Sequence, residues 1–327
     1  MKKIISLFVL ALGVTTIYSQ HINTSYKDAL EIKKRVLLVG LPADDKYLLD
    51  MYEQDSAAYV TLYSTEMEGQ RQALKEAVVN HWKFTDSIVI TSYKEAKSLI
   101  KKFPEKYVLL HFGEQLQDRV YVRHGKTTPP LTCWENRDGK FIYNARKRYS
   151  VKMLGITSLV LELPKRVFEV HLPKMSPSTG DFIYAIRQME YVLSDLLKSE
   201  ESTANKLYRN VYLVSEELKT KTLLIDAKEV NCSAEDIKKA YPYPFKLVSY
   251  DVIDDALKNK DDNFAIIQAS RFDTQNSTHY VVNAGNGKIY SNFNDNTFNY
   301  GEQHGYSVMV LYPFITSKEL ERYKSGN

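Results

Sequence analysis

Apolar residues recur along the chain in short blocks whose spacing changes character several times. Residues 35–41, Arg-Val-Leu-Leu-Val-Gly-Leu, form an apolar run closed by Pro42 and predict a buried strand. The stretch 43–65 is polar with scattered aromatics and shows no clear period. Over residues 66–82, Met67, Leu74, Val78 and Trp82 fall near helical spacing and predict a helix. Residues 87–91 read as a second strand. Ser92 is placed to cap a helix over 93–103 that Pro104 stops. Residues 107–112 read as a third strand, ended by Gly113.

The pattern shortens over 118–172. Apolar triplets and quartets at 121–123, 141–143, 159–161 and 167–170 are separated by Gly, Pro and Asp-Gly signals, which predicts an antiparallel meander with Asp138-Gly139 as one hairpin turn. Residues 178–217 return to helical spacing. Phe182, Ile186, Met189, Val192, Leu193 and Leu196 make one stripe, Ser178 and Asp181 resemble a capping box, and 203–218 reads as a second helix. Strands follow at 222–225, 247–249 and 264–268. Between them lie a short helix capped by Ser233 and a helix over 251–258. A hairpin over 280–290 turns at Asn286-Gly287, because both residues tolerate positive φ.

Two of these stretches align without a gap. Residues 90–111 and 247–268 match Ser92-Tyr93 with Ser249-Tyr250, Lys101 with Lys258, Tyr107 with Phe264 and His111 with Gln268. Upstream, Val36-Leu37-Leu38-Val39 resembles Thr222-Leu223-Leu224-Ile225. The expected fold is therefore mixed-sheet α/β. It has two similar strand–helix–strand–helix–strand units joined by a helical segment, with the meander appended to the first. The expected division is 20–176, 177–217 and 218–327, after a signal peptide over 1–19.

The first twenty residues read as that export signal. Lys2-Lys3 precedes an uncharged apolar run over 4–18, shorter than the roughly 20 residues a spanning helix needs. Ser19 fits the position before the cut. The 327-residue chain carries a net charge of +4, and Lys2 and Lys3 leave with the signal. The remainder has no overall field that would gather nucleic acid or a membrane surface. No later apolar run reaches spanning length. Cys133 and Cys232 are the two cysteines. An oxidising compartment permits a bridge between them, and spacing alone leaves them free or bridged.

No phosphate-binding glycine loop, nucleophile elbow or His-Glu-x-x-His pattern is present. No cofactor or metal is expected. Two constellations remain. His111, His124 and Cys133 fall at a strand end and in the hairpin after it, where a thiol and an imidazole could form a nucleophile–base pair. His279, Tyr280, Asn283, Tyr290 and Asn292 lie in a segment rich in amides and tyrosines, which suits a sugar as well as ordinary turn chemistry.

The signal, with Gln20 following the cut, resembles exported proteins of Bacteroidota. The opening strand, an alanine-bearing helix and a strand running into Tyr93-Lys94-Glu95-Ala96 resemble bacterial envelope α/β domains. These are the amino-terminal domain of the periplasmic Tol–Pal component and the curli-secretion type. The resemblance covers some eighty residues and implies binding or assembly without chemistry. The leading expectation is a periplasmic or secreted non-catalytic protein whose partner is another envelope protein or a glycan. The alternatives are a secreted Cys/His hydrolase acting on peptide or cell-wall material, and a carbohydrate-binding module.

Overall fold

The structure is a computed structural model. It describes residues 24–44, 46, 49–50, 53, 57–121, 134–135, 141–142, 150–164, 166–174, 176–204, 206–207, 216–271, 276–296, 299–303, 306–310 and 315–325. Helix α1 (Tyr26–Lys33) leads in. The first unit then runs β1 (Val36–Leu41), α2 (Ala57–His81), β2 (Ile88–Ser92), α3 (Tyr93–Lys102) and β3 (Tyr107–Tyr121). The short strands β4 (Trp134–Glu135) and β5 (Phe141–Ile142) pair with each other. Strands β6 (Ser150–Glu162) and β7 (Arg166–His171) complete the first sheet, and α4 (Thr179–Leu196) follows.

A 3₁₀ turn (Glu216–Thr220) opens the second unit. It runs β8 (Thr222–Asp226), α5 (Ala234–Ala240), β9 (Phe245–Val248), α6 (Tyr250–Lys258), β10 (Phe264–Arg271), β11 (Asn276–Asn283) and β12 (Ile289–Asn296). Strands β13 (Asn299–Gln303) and β14 (Tyr306–Val310) pair with each other, and α7 (Ser317–Ser325) closes the chain.

The two five-stranded sheets have one topology. Their orders are β2-β1-β3-β6-β7 and β9-β8-β10-β11-β12, three parallel strands continued by two antiparallel ones. The registers coincide as well. Val36 pairs with Tyr107 as Thr222 pairs with Phe264, and Leu37 with Ile88 as Leu223 with Phe245. Leu110 pairs with Leu161 as Ile267 pairs with Val281. A register shift falls after Leu161 in one sheet and after Val281 in the other, the same position in both. Bulges re-aim a strand and are features of a fold rather than noise. The antiparallel extension expected for the first unit is thus a property of both.

Alternation along the strands decides what each face covers. Leu38 and Leu109 pack on Ala96 of α3. Leu37, Val39, Val108 and Leu110 point the other way, into a core shared with α1, α2 and α4. In the second sheet, Leu224 and Ile266 join that same core together with α6. Leu223, Ile225, Ala265 and Ile267 face α5 and α7. The layers therefore run α3, first sheet, a central helical layer, second sheet, and α5 with α7. Thirteen of the eighteen residues of α4 are buried, as expected of a helix covered all round. Ser178 and Asp181 form its capping box.

Three boundaries differ from the pattern-based reading. Strand β3 does not end at Gly113 but continues to Tyr121, with Gly113 paired to Ser158. Helix α2 begins at Ala57, some nine residues early, because its first turns are mostly solvent-facing and carry no apolar stripe. Helix α1 lacks a long stripe too, and its signal is the capping box of Ser25 and Asp28. Asp138-Gly139, and residues 208–215 of the expected second linking helix, lie outside the described residues.

Candidate functional site

In an open sheet, the space beyond the carboxyl ends of parallel strands is where side chains from several elements converge. His111 sits there on β3, on the same face as Leu109, and so beside the first turn of α3. Ser92 caps that helix by accepting from Glu95 N, which fixes Tyr93 at its start. The rings of Tyr93 and His111 lie 4.9 Å apart. His111 Nε2 is 3.3 Å from Glu162 Oε1, and the other oxygen of Glu162 accepts from Lys97 Nζ at 2.6 Å. The Lys97 ammonium also lies 5.6 Å from the centre of the Tyr93 ring.

The charges explain the protonation. His111, then Lys97, holds the Glu162 carboxyl at about 2 against the upward push of burial. Burial lowers Lys97, but the hydrogen bond and charge of Glu162 outweigh it and leave its pKa raised. A second polar row lies on the neighbouring strands. Ser158 Oγ donates to Glu169 Oε1 at 2.7 Å, and His171 Nε2 is 3.9 Å from that same oxygen. Ser158 and His171 are cross-strand partners, and Glu169 lies opposite Val160. A Cβ at Gly113 would stand 3.3 Å from Ser158 Oγ, so glycine leaves this hydroxyl free to turn toward the carboxylate. Ser158 donates its hydrogen bond to the Glu169 carboxylate, which orients the hydroxyl.

The second unit has diverged at the matching positions. Register places Gln268 at the position of His111, Ser270 at that of Gly113 and Val282 at that of Glu162. Asp254 on α6 stands where Lys97 stands on α3 and faces α4 instead of solvent. Its Oδ1 accepts from Ser178 Oγ at 2.6 Å and from Gly180 N at 2.8 Å. Tyr250, the counterpart of Tyr93, donates to Asp181. The face that carries the charged cluster in one unit is thus the face that seats α4 in the other.

Of the residues singled out by sequence, His111 belongs to this cluster, whereas His124 and Cys133 lie outside the described residues. Cys232 is a half-buried free thiol whose pKa burial raises. The five amide and aromatic residues of the second unit are all buried. His279 Nδ1 is 2.7 Å from Tyr323 Oη and the ring stacks on Phe293, which ties α7 to the sheet. Tyr280 belongs to the central core and Tyr290 to the outer one. Asn283 organises the hairpin: Oδ1 accepts from Gly285 N and Asn286 N, and Nδ2 donates to Tyr290 Oη. Asn292 lies on β12 opposite Tyr280. No tyrosine face is left open on this hairpin for a sugar to cover, so the segment is turn and core chemistry.

Lys97, Glu162, Ser158 and Glu169 escaped the sequence reading because they are far apart in the chain. The alignment of 90–111 with 247–268 held a usable signal, since it sets Lys97 against Asp254. Among the described residues no group of three or more His, Cys, Asp and Glu side chains is arranged to hold a metal ion. Nor, among them, is any helix long and apolar enough to cross a membrane. No protein-family model matches the chain, and no curated protein or solved structure does so either.

Proposed function

We propose that the chain is an exported, non-catalytic protein of the cell envelope, periplasmic or secreted, that binds or assembles with another envelope component. One observation carries the reading. The same face of two like units is used inward in one copy, to seat α4, and in the other carries a charged cluster with Lys97 partly exposed. A duplicated unit that spends one contact face on its own architecture keeps the other face for a partner. Val89 and Phe103 add exposed apolar area beside α3, where the second unit has Lys246 and Lys260. The export pattern over 1–19 and the resemblance to envelope α/β domains support the compartment.

The test is photo-crosslinking in intact cells from a reactive residue placed at 89 or 97, with Glu76 on α2 as the control position. The reading expects a discrete envelope adduct from 89 and 97 but not from 76, on a chain that has lost residues 1–19. An intact Met1 on protein from the cytoplasm, or the same pattern from all three positions, overturns it.

A further inference from the structure

We propose that the first sheet takes up an extended acidic segment of its partner as an added strand along the free edge of β2. This rests on the reading that the α3 side meets a partner, and it adds what the partner presents there. The edge strands of the two five-stranded sheets are β2, β7, β9 and β12. Of these four, β2 alone carries no charged side chain: β7 has Arg166 and Glu169, β9 has Lys246, and β12 has Asp295. Charges and prolines on an edge keep other strands from pairing with it, so their absence leaves β2 open to strand addition.

The backbone is set for it. Leu37 N–H donates to Ser87 O, and the parallel ladder to β1 then turns the polar groups of Ser87, Val89 and Thr91 inward. The N–H and C=O groups of Ile88 and Ile90 point the other way, along a side that no described strand pairs. Val89 shares the α3 side with its cross-strand neighbour Leu38 and is 42 % exposed. Ile88 and Ile90 lie on the opposite face, against the central core. The sister unit guards the same place. Register sets Lys246 at the position of Val89, and Pro244 immediately precedes β9. The unguarded edge is therefore a departure made in one copy alone.

The charge beside the edge selects the occupant. From Tyr93 to Lys106 the chain has five lysines against two glutamates. Glu95 already accepts from Thr91 and Glu105 from Arg35, and Lys97 is paired with Glu162. Lys94, Lys101, Lys102 and Lys106 are exposed, and no ion pair among the described residues holds them. Pairing with the β2 of a second copy would set a second α3 with the same lysines beside the first, so like charge disfavours it. A segment that alternates apolar and carboxylate side chains fits. Its apolar residues extend the row of Ile88 and Ile90, its carboxylates meet the field of the lysines on the α3 face, and main-chain bonds complete the ladder.

The test adds a blocked peptide of alternating valine and glutamate to the full mature chain and follows affinity and amide exchange. Binding should slow exchange at Ile88 and Ile90 about tenfold, leave Val89 and Thr91 unchanged, and weaken several-fold on adding salt. Ile90→Pro, which deletes an outward donor, should weaken binding about tenfold. Should Ile90→Pro fail to fold, Lys101→Glu with Lys102→Glu, both on the surface, should weaken it several-fold at unchanged melting temperature. A peptide that does not bind, binding without slowed exchange at Ile88 and Ile90, or equal binding of the valine–lysine counterpart overturns the proposal. So does capture by phosphatidylglycerol vesicles that the lysine reversals abolish and Ile90→Pro does not. An envelope adduct from 89 and 97 without protection of the two amides keeps a partner on α3 and removes the strand. Protection by the peptide without any adduct does the reverse.

Discussion

Asp254 Oδ1 accepts the backbone N–H of Gly180 at 2.8 Å, and a Cβ added to that glycine would stand 2.0 Å from the same oxygen. This contact joins α6 of the second unit to the first turn of α4. Gly180→Ala must push the helices apart or break the cap. Overpacking of this kind costs about 1–3 kcal/mol. Urea denaturation of the variant should show a lower midpoint at an unchanged slope.

Asn283 holds the turn between β11 and β12 of the second sheet. Its amide makes bonds to Gly285 N, Asn286 N, Asp262 O and Tyr290 Oη. Asn283→Ala leaves buried partners unpaired and should cost about 2–3 kcal/mol. Gly287 at φ +74, backed against Arg187, needs that turn held. The melting temperature should fall, and amide exchange should quicken first in β11 and β12.

His81 is held near 4, below its ordinary 6.5, chiefly by burial and then by the charge of Arg187, whose Nη2 lies 3.3 Å from His81 Nδ1. The unfolded chain takes up a proton near 6.5 that the folded chain refuses until about 4. Stability is therefore whole above 6.5 and declines as pH falls from there to 4. The imidazole is partly exposed, so the loss is about 1 kcal/mol after screening. His81→Gln keeps an acceptor for Arg187 and should flatten the pH dependence of the melting temperature in that window.

Glu162 acts in a lower window. Its carboxyl drops from an ordinary 4.5 to about 2, so its stabilising share is present above 4.5 and vanishes as pH falls to 2. Glu162→Gln should remove that dependence and leave the slope between 6.5 and 4 intact. Denaturation curves taken at pH 2, 4 and 7 on both variants separate the two groups.

Much of the architecture was legible because local signals agreed with the fold. Ser92, Ser178 and Ser233 start helices where their capping patterns place them, and the ungapped match of 90–111 to 247–268 foretold the like registers of β3 and β10. The site was less so. His111 was visible as a strand-end histidine, but Glu162 reaches it across a hairpin whose length the apolar pattern hid, since β3 runs through Gly113. The amides and tyrosines of 279–292 suited a sugar surface as well as turn chemistry, because composition does not say which way a side chain points. Burial turned them into core and turn.

The placement of α4 bears on how the chain is made. Synthesis delivers this helix while the sheet that will cover its far side, with Leu224, Ile266 and Val282, is still unmade. One flank of the helix stays wet until the last strands arrive, so the amino-terminal half has no finished state of its own. Severing the backbone between 197 and 216 should yield two sticky fragments rather than two working modules, and the intact molecule should melt in a single step.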